Sequence, residues 1–393
     1  MGSMNEIYLD NAATTPLDKN VFKEMKRYFE SEYGNPSSFH KKGKDAKEAV
    51  ENSRNIISKL LNCELNEVIF TSGGTESINF ALKGVAFANR HKGNHIITSK
   101  IEHHAVLEVC KYLEKNGFEV TYLDVDKFGF VNPKDVENAI TDKTILVSII
   151  YANNEIGTIE PIKEISKITK KKKVYFHTDA CQAAGFLNLD TTSLGVDLLT
   201  LNGSKISGPK GIGLLYIKEG TNIEPLIHGG GQEFKLRSGT ENVPSIVGFA
   251  KALELAQKSK FSEGNRLTSI RDFLIKGLLK IPKTRLNGPI NERLPNNVNI
   301  SFLDIEGESI LLHLNEKKIS ASTGSACASN NLESSHVLRA IGLPYEASHG
   351  SIRFSLGKKT TISEIKYLLK VMPGIVNTLR KISPLNLNED YFK

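Results

Sequence analysis

The stretch Ser72-Gly73-Gly74-Thr75-Glu76 runs from an apolar, β-branched segment into a helical pattern, and its residue types suit the binding of an anion. Glycines let the backbone approach a ligand closely, Thr75 can cap the helix and donate its hydroxyl, and a helix N-terminus offers free N–H groups. The stretch matches neither the Walker pattern nor the G-x-G-x-x-G pattern. It therefore predicts a phosphate cradle, with a plain helix start as the alternative.

A second stretch, residues 201–217, places Lys205 between two apolar segments, after Asn202 and Ser204 and before a Gly-Pro turn. On an exposed loop it would be an ordinary surface lysine, but between buried strands desolvation lowers the pKa of an amine and makes it a nucleophile. An upstream strand pattern ends at Asp179, which could instead cap a short helix. A nucleophilic lysine, a phosphate cradle and a buried carboxylate are the groups that pyridoxal 5'-phosphate requires.

A third stretch, STGSACASNN at residues 322–331, places Cys327 among small and polar residues. Free cysteine usually behaves as a small core residue, so this position needs its own explanation. The side chains around it have little to bury, which predicts a mobile loop at about residues 322–333. One interpretation is an incidental exposed thiol, and the other is a reactive thiol that must move.

The composition is that of an ordinary globular protein and argues against several classes. The chain has 393 residues, of which 39% are hydrophobic and 24% charged, and its formal net charge is +7. Four cysteines lie far apart without a CxxC pair, which argues against a disulfide framework and a metal site. The basic run at residues 170–173 suits a helix C-terminus better than a nucleic-acid patch. We expect a cytoplasmic protein without direct contact to nucleic acid or a membrane.

Short β-branched segments alternate with amphipathic stretches through the first two-thirds of the chain, which predicts an α/β fold around a mostly parallel sheet. Such sheets bind ligands in the loops after the carboxyl ends of their strands, where SGGTE, IEHH, YANNE and DACQ are expected. After about residue 255 the pattern predicts a smaller α+β domain. We expect a large domain at residues 16–255 and a small one formed by residues 1–15 and 256–393.

Ten motifs, taken together and in order, resemble those of the cysteine desulfurases of the NifS/IscS type. They are YLDNAATTP, SGGTES, EHHAV, NNEIG, HTDACQAAG, GSKISGPKGIG, GGGQE, RSGTEN, TGSACAS and SIRFSLG. That group belongs to aminotransferase class V, among the pyridoxal-phosphate enzymes of fold type I. The resemblance extends over nearly the whole chain. It implies pyridoxal 5'-phosphate as cofactor, L-cysteine as substrate, and alanine with an enzyme persulfide as products.

The resemblance also implies a role for each residue that matches a family motif. Lys205 would bind the cofactor aldehyde and remove the substrate α-proton, Cys327 would attack the substrate sulfur, and His103 would stack on the ring and transfer protons. The implied cofactor contacts are Gly74, Thr75, Asn154, Asp179 at the pyridine nitrogen, Gln182 at the phenolic oxygen, Asn202, Ser204, Lys205 and Thr240. The implied contacts to the substrate carboxylate are Arg353, Asn35 and Asn154.

Three further expectations come from the resemblance. Thr240 would reach the cofactor phosphate of a neighbouring subunit, so that the site is complete only in a homodimer. The sulfur on Cys327 would pass to an acceptor protein for Fe–S cluster assembly or tRNA thiolation. Where the family often has Ser and His, this chain has Asn202 and Ser204, and a serine hydroxyl can still donate to a phosphate. The alternative is a selenocysteine lyase or another class V lyase or aminotransferase, which would not need Cys327.

Overall fold

The computed structural model describes residues 6–323 and 334–392, so Cys327 and most of the predicted loop lie outside the described residues. The helices are α1 (Lys19–Glu30), α2 (Lys41–Leu61), α3 (Gly74–Ala88), α4 (His104–Lys115), α5 (Pro133–Ala139), α6 (Ile162–Lys172), α7 (Thr191–Leu194), α8 (Val243–Leu278), α9 (Gly307–Glu316), α10 (His336–Ala340), α11 (Tyr345–His349) and α12 (Ile362–Ile382). In this described part, none of the helices has the length and apolar character needed to span a bilayer.

The strands form one large sheet and two small ones. They are β1 (Ile7–Tyr8), β2 (Val68–Thr71), β3 (His95–Ser99), β4 (Glu119–Leu123), β5 (Thr144–Ser148), β6 (Tyr175–Asp179), β7 (Leu198–Asn202), β8 (Gly213–Ile217), β9 (Thr284–Leu286), β10 (Asn297–Phe302), β11 (Ile319–Ser320) and β12 (Ser351–Ser355). The large sheet has the order β2-β8-β7-β6-β5-β3-β4, and β8 is antiparallel to both of its neighbours. The remaining pairs are parallel, which confirms the predicted α/β fold.

Helices cover both faces of the large sheet. Successive side chains of a strand point to opposite faces. Accordingly Ile96 and Leu198 belong to one apolar cluster, while their neighbours Ile97 and Leu199 belong to another. Because both faces are buried, the strands are continuous β-branched and aliphatic runs rather than alternating ones. The polar residues are therefore left to the strand ends, where the loops begin.

The C-terminal part has its own core. β12, β10 and β9 form a three-stranded antiparallel sheet, and β1 pairs in parallel with β11. Ile7 and Leu9 from the start of the chain pack in this core with residues of α8, α9 and α12. The 36-residue helix α8 contributes to both this core and that of the large sheet, and it runs through residue 255. The domain boundaries stay a prediction.

A buried ion pair holds a left-handed turn against β2, an edge strand of the large sheet. Glu233, Phe234 and Lys235 have φ angles of 45°, 57° and 67°, which L-residues rarely adopt. The Glu233 carboxylate accepts from Arg54 Nη2 at 2.7 Å and from the backbone N–H of Phe70 at 2.8 Å. Both side chains of the ion pair are only 3% exposed. The carboxylate thus satisfies an N–H group at the edge of the sheet and stabilises the turn.

Substitution of Glu233 by alanine is expected to lower the free energy of unfolding by about 3 kcal/mol, because Arg54 would remain buried without its counter-charge. Urea unfolding followed by circular dichroism measures the loss. The matched control is Glu30→Ala, since Glu30 pairs with Lys26 at 3.5 Å on an exposed helix face. That variant should differ from wild type by less than about 0.5 kcal/mol. Equal losses in the two variants would contradict the role given to Glu233.

Candidate active site

Lys205 ends a short 3₁₀ turn that follows β7. Asn202 Oδ1 accepts hydrogen bonds from the backbone N–H of Ser204 at 3.0 Å and from its hydroxyl at 3.1 Å. A Cβ atom at Gly203 would lie 2.7 Å from the carbonyl oxygen of Pro209, so the turn requires glycine there. The lysine is therefore carried by a tightly packed turn at the carboxyl end of a buried strand.

The N-terminal segment of the chain meets the amine of Lys205. Lys205 Nζ donates to the carbonyl oxygens of Ala12 at 3.0 Å and Ala13 at 2.6 Å. Gln182, in the loop after β6, donates from Nε2 to the same Ala12 carbonyl at 2.9 Å. The structure thus brings Lys205 and Gln182, predicted from separate motifs, to one place.

Asp179 and His103 lie in the same space as Lys205. Asp179 is the last residue of β6 and is 5% exposed. Its Oδ1 accepts a hydrogen bond from the backbone N–H of Cys181 at 2.9 Å. His103 caps α4, its Nδ1 accepting the N–H of the residue two positions on at 3.1 Å. Burial lowers the pKa of His103, the charge of Asp179 raises it, and the charge of Lys205 lowers it. The net pKa is below the ordinary value, so the ring is neutral at neutral pH.

The predicted phosphate cradle lies at the N-terminus of the 15-residue helix α3. A Cβ atom added to Gly73, where φ is 155°, would meet nothing within 4 Å, so open space lies in front of this glycine. A Cβ atom at Gly74 would lie 3.0 Å from Cys181 Sγ and 3.5 Å from Asn202 Nδ2. The cradle therefore adjoins the loops after β6 and β7. Thr75 is exposed on the first turn of the helix.

One acidic side chain lies at the cradle, and a cation balances its charge. Glu76 accepts the backbone N–H of Ser72 at 2.8 Å and pairs with Arg237 Nε at 2.9 Å. Burial raises the pKa of Glu76, but the hydrogen bonds from Arg237 and Ser72 outweigh it, and the pKa is lowered. The ion pair also anchors the loop of Thr240, which lines a cavity of about 190 Å³ together with Ser72. Contact of Thr240 with a neighbouring subunit stays a prediction.

Arg353 lies in β12 and is 4% exposed. Its Nη1 donates to the carbonyl oxygen of Asn154 at 3.1 Å, and its Nη2 pairs with Asp10 Oδ1 at 2.9 Å. Its Nε is buried and has no hydrogen-bond partner among the described residues. A guanidinium group that retains an unsatisfied N–H is suited to bind a carboxylate. The structure thus connects Arg353 with the backbone of Asn154.

Among the predicted site residues that the structure describes, Asn35 is not brought into contact with the others. Asn35 is exposed, and its hydrogen bonds in the described chain are local, from the N–H of Ser37 to Oδ1 and from the N–H of Ser38 to its carbonyl, both at 2.9 Å. Its role at the substrate stays a prediction. Cys327 lies outside the described residues, so its role also stays a prediction.

Sequence reasoning missed the part played by the N-terminal segment. Asp10 is the counter-charge of Arg353, and the carbonyls of Ala12 and Ala13 receive the amine of Lys205. All three residues belong to the motif YLDNAATTP, which was quoted for the resemblance without a role for any member. The available signal was a run of small and polar residues directly after a short apolar strand pattern.

A buried histidine was missed as well. His177 is 0% exposed in β6, between the Ser148 hydroxyl at 2.8 Å from Nδ1 and the Thr200 hydroxyl at 3.0 Å from Nε2. Burial lowers its pKa to about 4, so the ring is neutral. His177 precedes Asp179 by two positions and lies on the same face of the strand. The His177 side chain links β6 to β5 and β7 beside the carboxylate of Asp179. The spacing His-x-Asp within a predicted strand was the sequence signal that could have identified it.

Comparisons with known proteins show the family of this chain. The aminotransferase class V family matches residues 7–368. A protein named cysteine desulfurase IscS from Methanosarcina thermophila is 57% identical over 384 residues, which cover 98% of this chain and 95% of that protein. A protein of the same name from Dictyoglomus turgidum is 56% identical over 380 residues, which cover 96% of each chain.

Solved structures share the fold over nearly the full length. A NifS-like protein superposes with a TM-score of 0.90 at 40% identity and covers 95% of this chain and 100% of that one. The structure titled SspA in complex with cysteine has a TM-score of 0.78 at 36% identity. The match covers 90% of this chain and 99% of that one. These matches confirm fold type I. This chain therefore belongs to the aminotransferase class V family and, within it, to the cysteine desulfurases of the NifS/IscS type.

Proposed function

We propose that this cysteine desulfurase converts L-cysteine to L-alanine and holds the sulfur as a persulfide on Cys327. The observation that carries the proposal is the convergence of Lys205, Asp179 and His103 at one edge of the sheet, beside a phosphate cradle. The proposal is supported by relatives named cysteine desulfurase IscS, which are 57% and 56% identical to this chain.

Pyridoxal 5'-phosphate is the proposed cofactor, and the described residues fit its three anchoring points. The free N–H groups of α3 and the open space in front of Gly73 suit its phosphate. The buried carboxylate of Asp179 suits the pyridine nitrogen, and the amine of Lys205 suits the aldehyde. When bound, the cofactor supplies an electron sink for the negative charge that develops at the substrate α-carbon. Further proposed contacts are Gly74, Thr75, Asn154, Gln182, Asn202, Ser204 and Thr240.

Three side chains are proposed to bind the substrate and to accept or donate its protons. Arg353 binds the carboxylate and fixes the orientation of the α-carbon, with Asn35 and Asn154 as further proposed contacts. Lys205 accepts the α-proton at Nζ. The neutral ring of His103 takes the proton of the substrate thiol and can return a proton later.

The sulfur transfer balances between substrate and protein. The thiolate of Cys327 attacks the substrate sulfur, so an S–S bond forms and the Cβ–S bond breaks. The electron pair of the broken bond stays on Cβ, which takes up a proton and becomes the methyl group of alanine, and Lys205 returns a proton to the α-carbon. Cβ gains the two electrons that the two sulfur atoms of the new S–S bond lose, one from each. The reaction therefore needs no external oxidant.

The persulfide is proposed to leave on an acceptor protein. The same proposal includes a homodimer in which Thr240 reaches the neighbouring cofactor. It also includes transfer of the sulfur towards Fe–S cluster assembly or tRNA thiolation, and a cytoplasmic location. The name IscS of the relatives supports the direction of the transfer.

The experiment that tests the proposed function gives L-cysteine to the purified holoenzyme and measures alanine and protein-bound persulfide together. We expect equal amounts of both in the first turnover. Peptide mapping should find the peptide that contains Cys327 heavier by a sulfur atom. Formation of alanine without a persulfide on this peptide would defeat the proposal.

The acid side of the pH profile should depend on His103. As a proton acceptor the ring must be neutral, and because its pKa lies below the ordinary 6.5, activity should persist below that pH and fall only at lower pH. His103→Gln should lower kcat/KM by about 10²-fold and abolish this acid limb. The control His104→Gln removes the adjacent imidazole ring. It should retain both the wild-type kcat/KM and the acid limb of the pH profile. An unchanged profile in His103→Gln would refute the role of the ring.

A further inference from the structure

The predicted phosphate cradle contains a fixed negative charge of its own. Glu76 is the third residue of α3, and its Oε2 accepts the backbone N–H of Ser72, the first residue of the cradle, at 2.8 Å. Burial raises the pKa of Glu76, but the hydrogen bonds from Arg237 and Ser72 outweigh burial and lower the pKa, so the carboxylate is ionised at neutral pH. A negative charge therefore lies within one helical turn of the N–H groups that are proposed to bind a phosphate.

The guanidinium group of Arg237 balances that charge. Its Nε donates to Glu76 Oε1 at 2.9 Å, and its Nη2 donates to Glu76 Oε2 at 3.3 Å, so both oxygens of the carboxylate are bound. The side chains of Glu76 and Arg237 are 11% and 24% exposed. The contact is thus mostly shielded from water, which strengthens the attraction between the two opposite charges.

The surroundings of this ion pair are acidic. The cavity of about 190 Å³ beside the cradle is lined by Arg237 and by two further carboxyl side chains, those of Glu233 and Glu241. Among the described residues that line this cavity, Arg237 is the one cationic side chain. Glu233 is already paired with Arg54, whose Nη2 lies 2.7 Å from Glu233 Oε1. Within the described chain, removal of Arg237 would therefore leave the carboxylate of Glu76 at the cradle without its counter-charge.

We propose that Arg237 determines the preference of this site for a phosphorylated cofactor. A phosphate group at the N-terminus of α3 brings up to about two negative charges towards the carboxylate of Glu76. With the guanidinium in place the ion pair is neutral, and the helix N–H groups attract the phosphate without opposition. Without the guanidinium, Glu76 repels the phosphate. Arg237 is thus a positioning residue that acts through Glu76, and the inference rests on the proposed function, in which this cradle binds the phosphate of pyridoxal 5'-phosphate.

The experiment compares two ligands that differ only in the phosphate group, pyridoxal 5'-phosphate and pyridoxal. The cofactor is removed from the wild type and from Arg237→Ala as its oxime with hydroxylamine, and rebinding of each ligand is followed by the absorbance of its Schiff base with the protein. We expect the Kd of pyridoxal 5'-phosphate to rise by about 10- to 100-fold in Arg237→Ala, the size of a partly screened charge interaction. The Kd of pyridoxal should change by less than about twofold, as for a surface substitution without a specific role.

Variants of Glu76 separate the effect of its charge from the structural effect of the ion pair. Glu76→Gln keeps an acceptor for the N–H of Ser72 and leaves the guanidinium unpaired, so the Kd of pyridoxal 5'-phosphate should equal that of the wild type or fall below it. When the same change is added to Arg237→Ala, the repelling charge is gone. The double variant should therefore recover the wild-type Kd to within about threefold, because the two residues are coupled.

The matched control is Arg266→Ala. Arg266 binds Glu263 in the same two-point manner, with Nε at 2.8 Å from one carboxylate oxygen and Nη2 at 2.6 Å from the other. This pair lies on α8 and is also partly exposed. The control removes a similar ion pair without touching the cradle, so it should bind both ligands as the wild type does. Should Arg237→Ala not fold, as judged by circular dichroism, Arg237→Gln carries the same test.

Three results would overturn the inference. The first is an unchanged Kd of pyridoxal 5'-phosphate in Arg237→Ala. The second is an equal rise in Kd for both ligands, which would mean that Arg237 shapes the site as a whole. The third is a double variant that binds pyridoxal 5'-phosphate as weakly as Arg237→Ala, which would mean that Arg237 does not act through the charge of Glu76. Failure of the proposed function gives a different result, since the wild type itself would then form no Schiff base with either ligand.

Discussion

The Cys327→Ser variant is expected to form no persulfide and to lose alanine formation from L-cysteine by at least about 10³-fold, as for other enzymes that lose their nucleophile. A serine hydroxyl is not ionised near neutral pH and does not attack sulfur as a thiolate does. Coupled assays of alanine and persulfide with wild type and variant measure both effects.

The other three cysteines serve as controls, because their thiols are not poised to react. Burial, followed by nearby glutamates, raises the pKa of Cys63 to about 12, and burial raises that of Cys110. Burial and the charge of Asp179 raise the pKa of Cys181 well above its ordinary value. Cys63→Ser should therefore retain full activity. If Cys327→Ser retained desulfuration, the proposed mechanism would be wrong.

The same variant separates the desulfurase from its alternative. A selenocysteine lyase shares the lysine, the carboxylate and the arginine, but it does not need a cysteine nucleophile. Such an enzyme would keep its activity on selenocysteine after Cys327→Ser. Loss of activity on L-cysteine together with retained and rapid lysis of selenocysteine would favour the lyase.

The Lys205→Ala variant is expected to lose alanine formation by about 10³- to 10⁴-fold, because the proposed acceptor of the α-proton is gone. It should also lose the covalent attachment of the cofactor. Treatment of the wild type with borohydride should join the cofactor mass to the peptide that contains Lys205, and the variant should show no such adduct. The adduct is a readout that does not depend on turnover.

Lys210 provides the matched control for this prediction. It lies five residues further along the same loop, and its Nζ reaches the carbonyl of Thr15 at 3.5 Å, not those of Ala12 or Ala13. Lys210→Ala should keep the adduct and most of the activity. An adduct that persists in Lys205→Ala would move the attachment to another lysine and refute the assignment.

Much of the large sheet could be predicted because its strands are buried on both faces. Two of the short β-branched segments that predict the sheet, HIITS at residues 95–99 and EVTYL at 119–123, coincide with β3 and β4. Three others, EVIFT at 67–71, ILVSII at 145–150 and VYFHTD at 174–179, match β2, β5 and β6 to within two residues at each end. The carboxyl ends of parallel strands meet at one edge, so Asp179 and Lys205 could be expected near one another before any coordinates. The family resemblance supplied their individual roles.

The rest could not be predicted, because it depends on pairings across long stretches of chain. The hydrogen-bonded residues Lys205 and Ala12 are 193 positions apart in the sequence. Arg353 and Asp10 are 343 positions apart, and Ser335 and Glu155 are 180 positions apart. Carbonyl acceptors carry no side-chain signal, and a carboxylate such as Asp10 looks like any surface residue until its partner is known.

The sequence by itself determined the fold class and the family, because burial patterns and short motifs are local properties of the chain. The reactive groups that it indicates stay predictions. Only the tertiary structure decided which backbone carbonyls accept hydrogen bonds from Lys205 and which carboxylate pairs with Arg353. These are contacts in a low-dielectric interior, where a hydrogen bond or an ion pair forms only if packing brings both partners together.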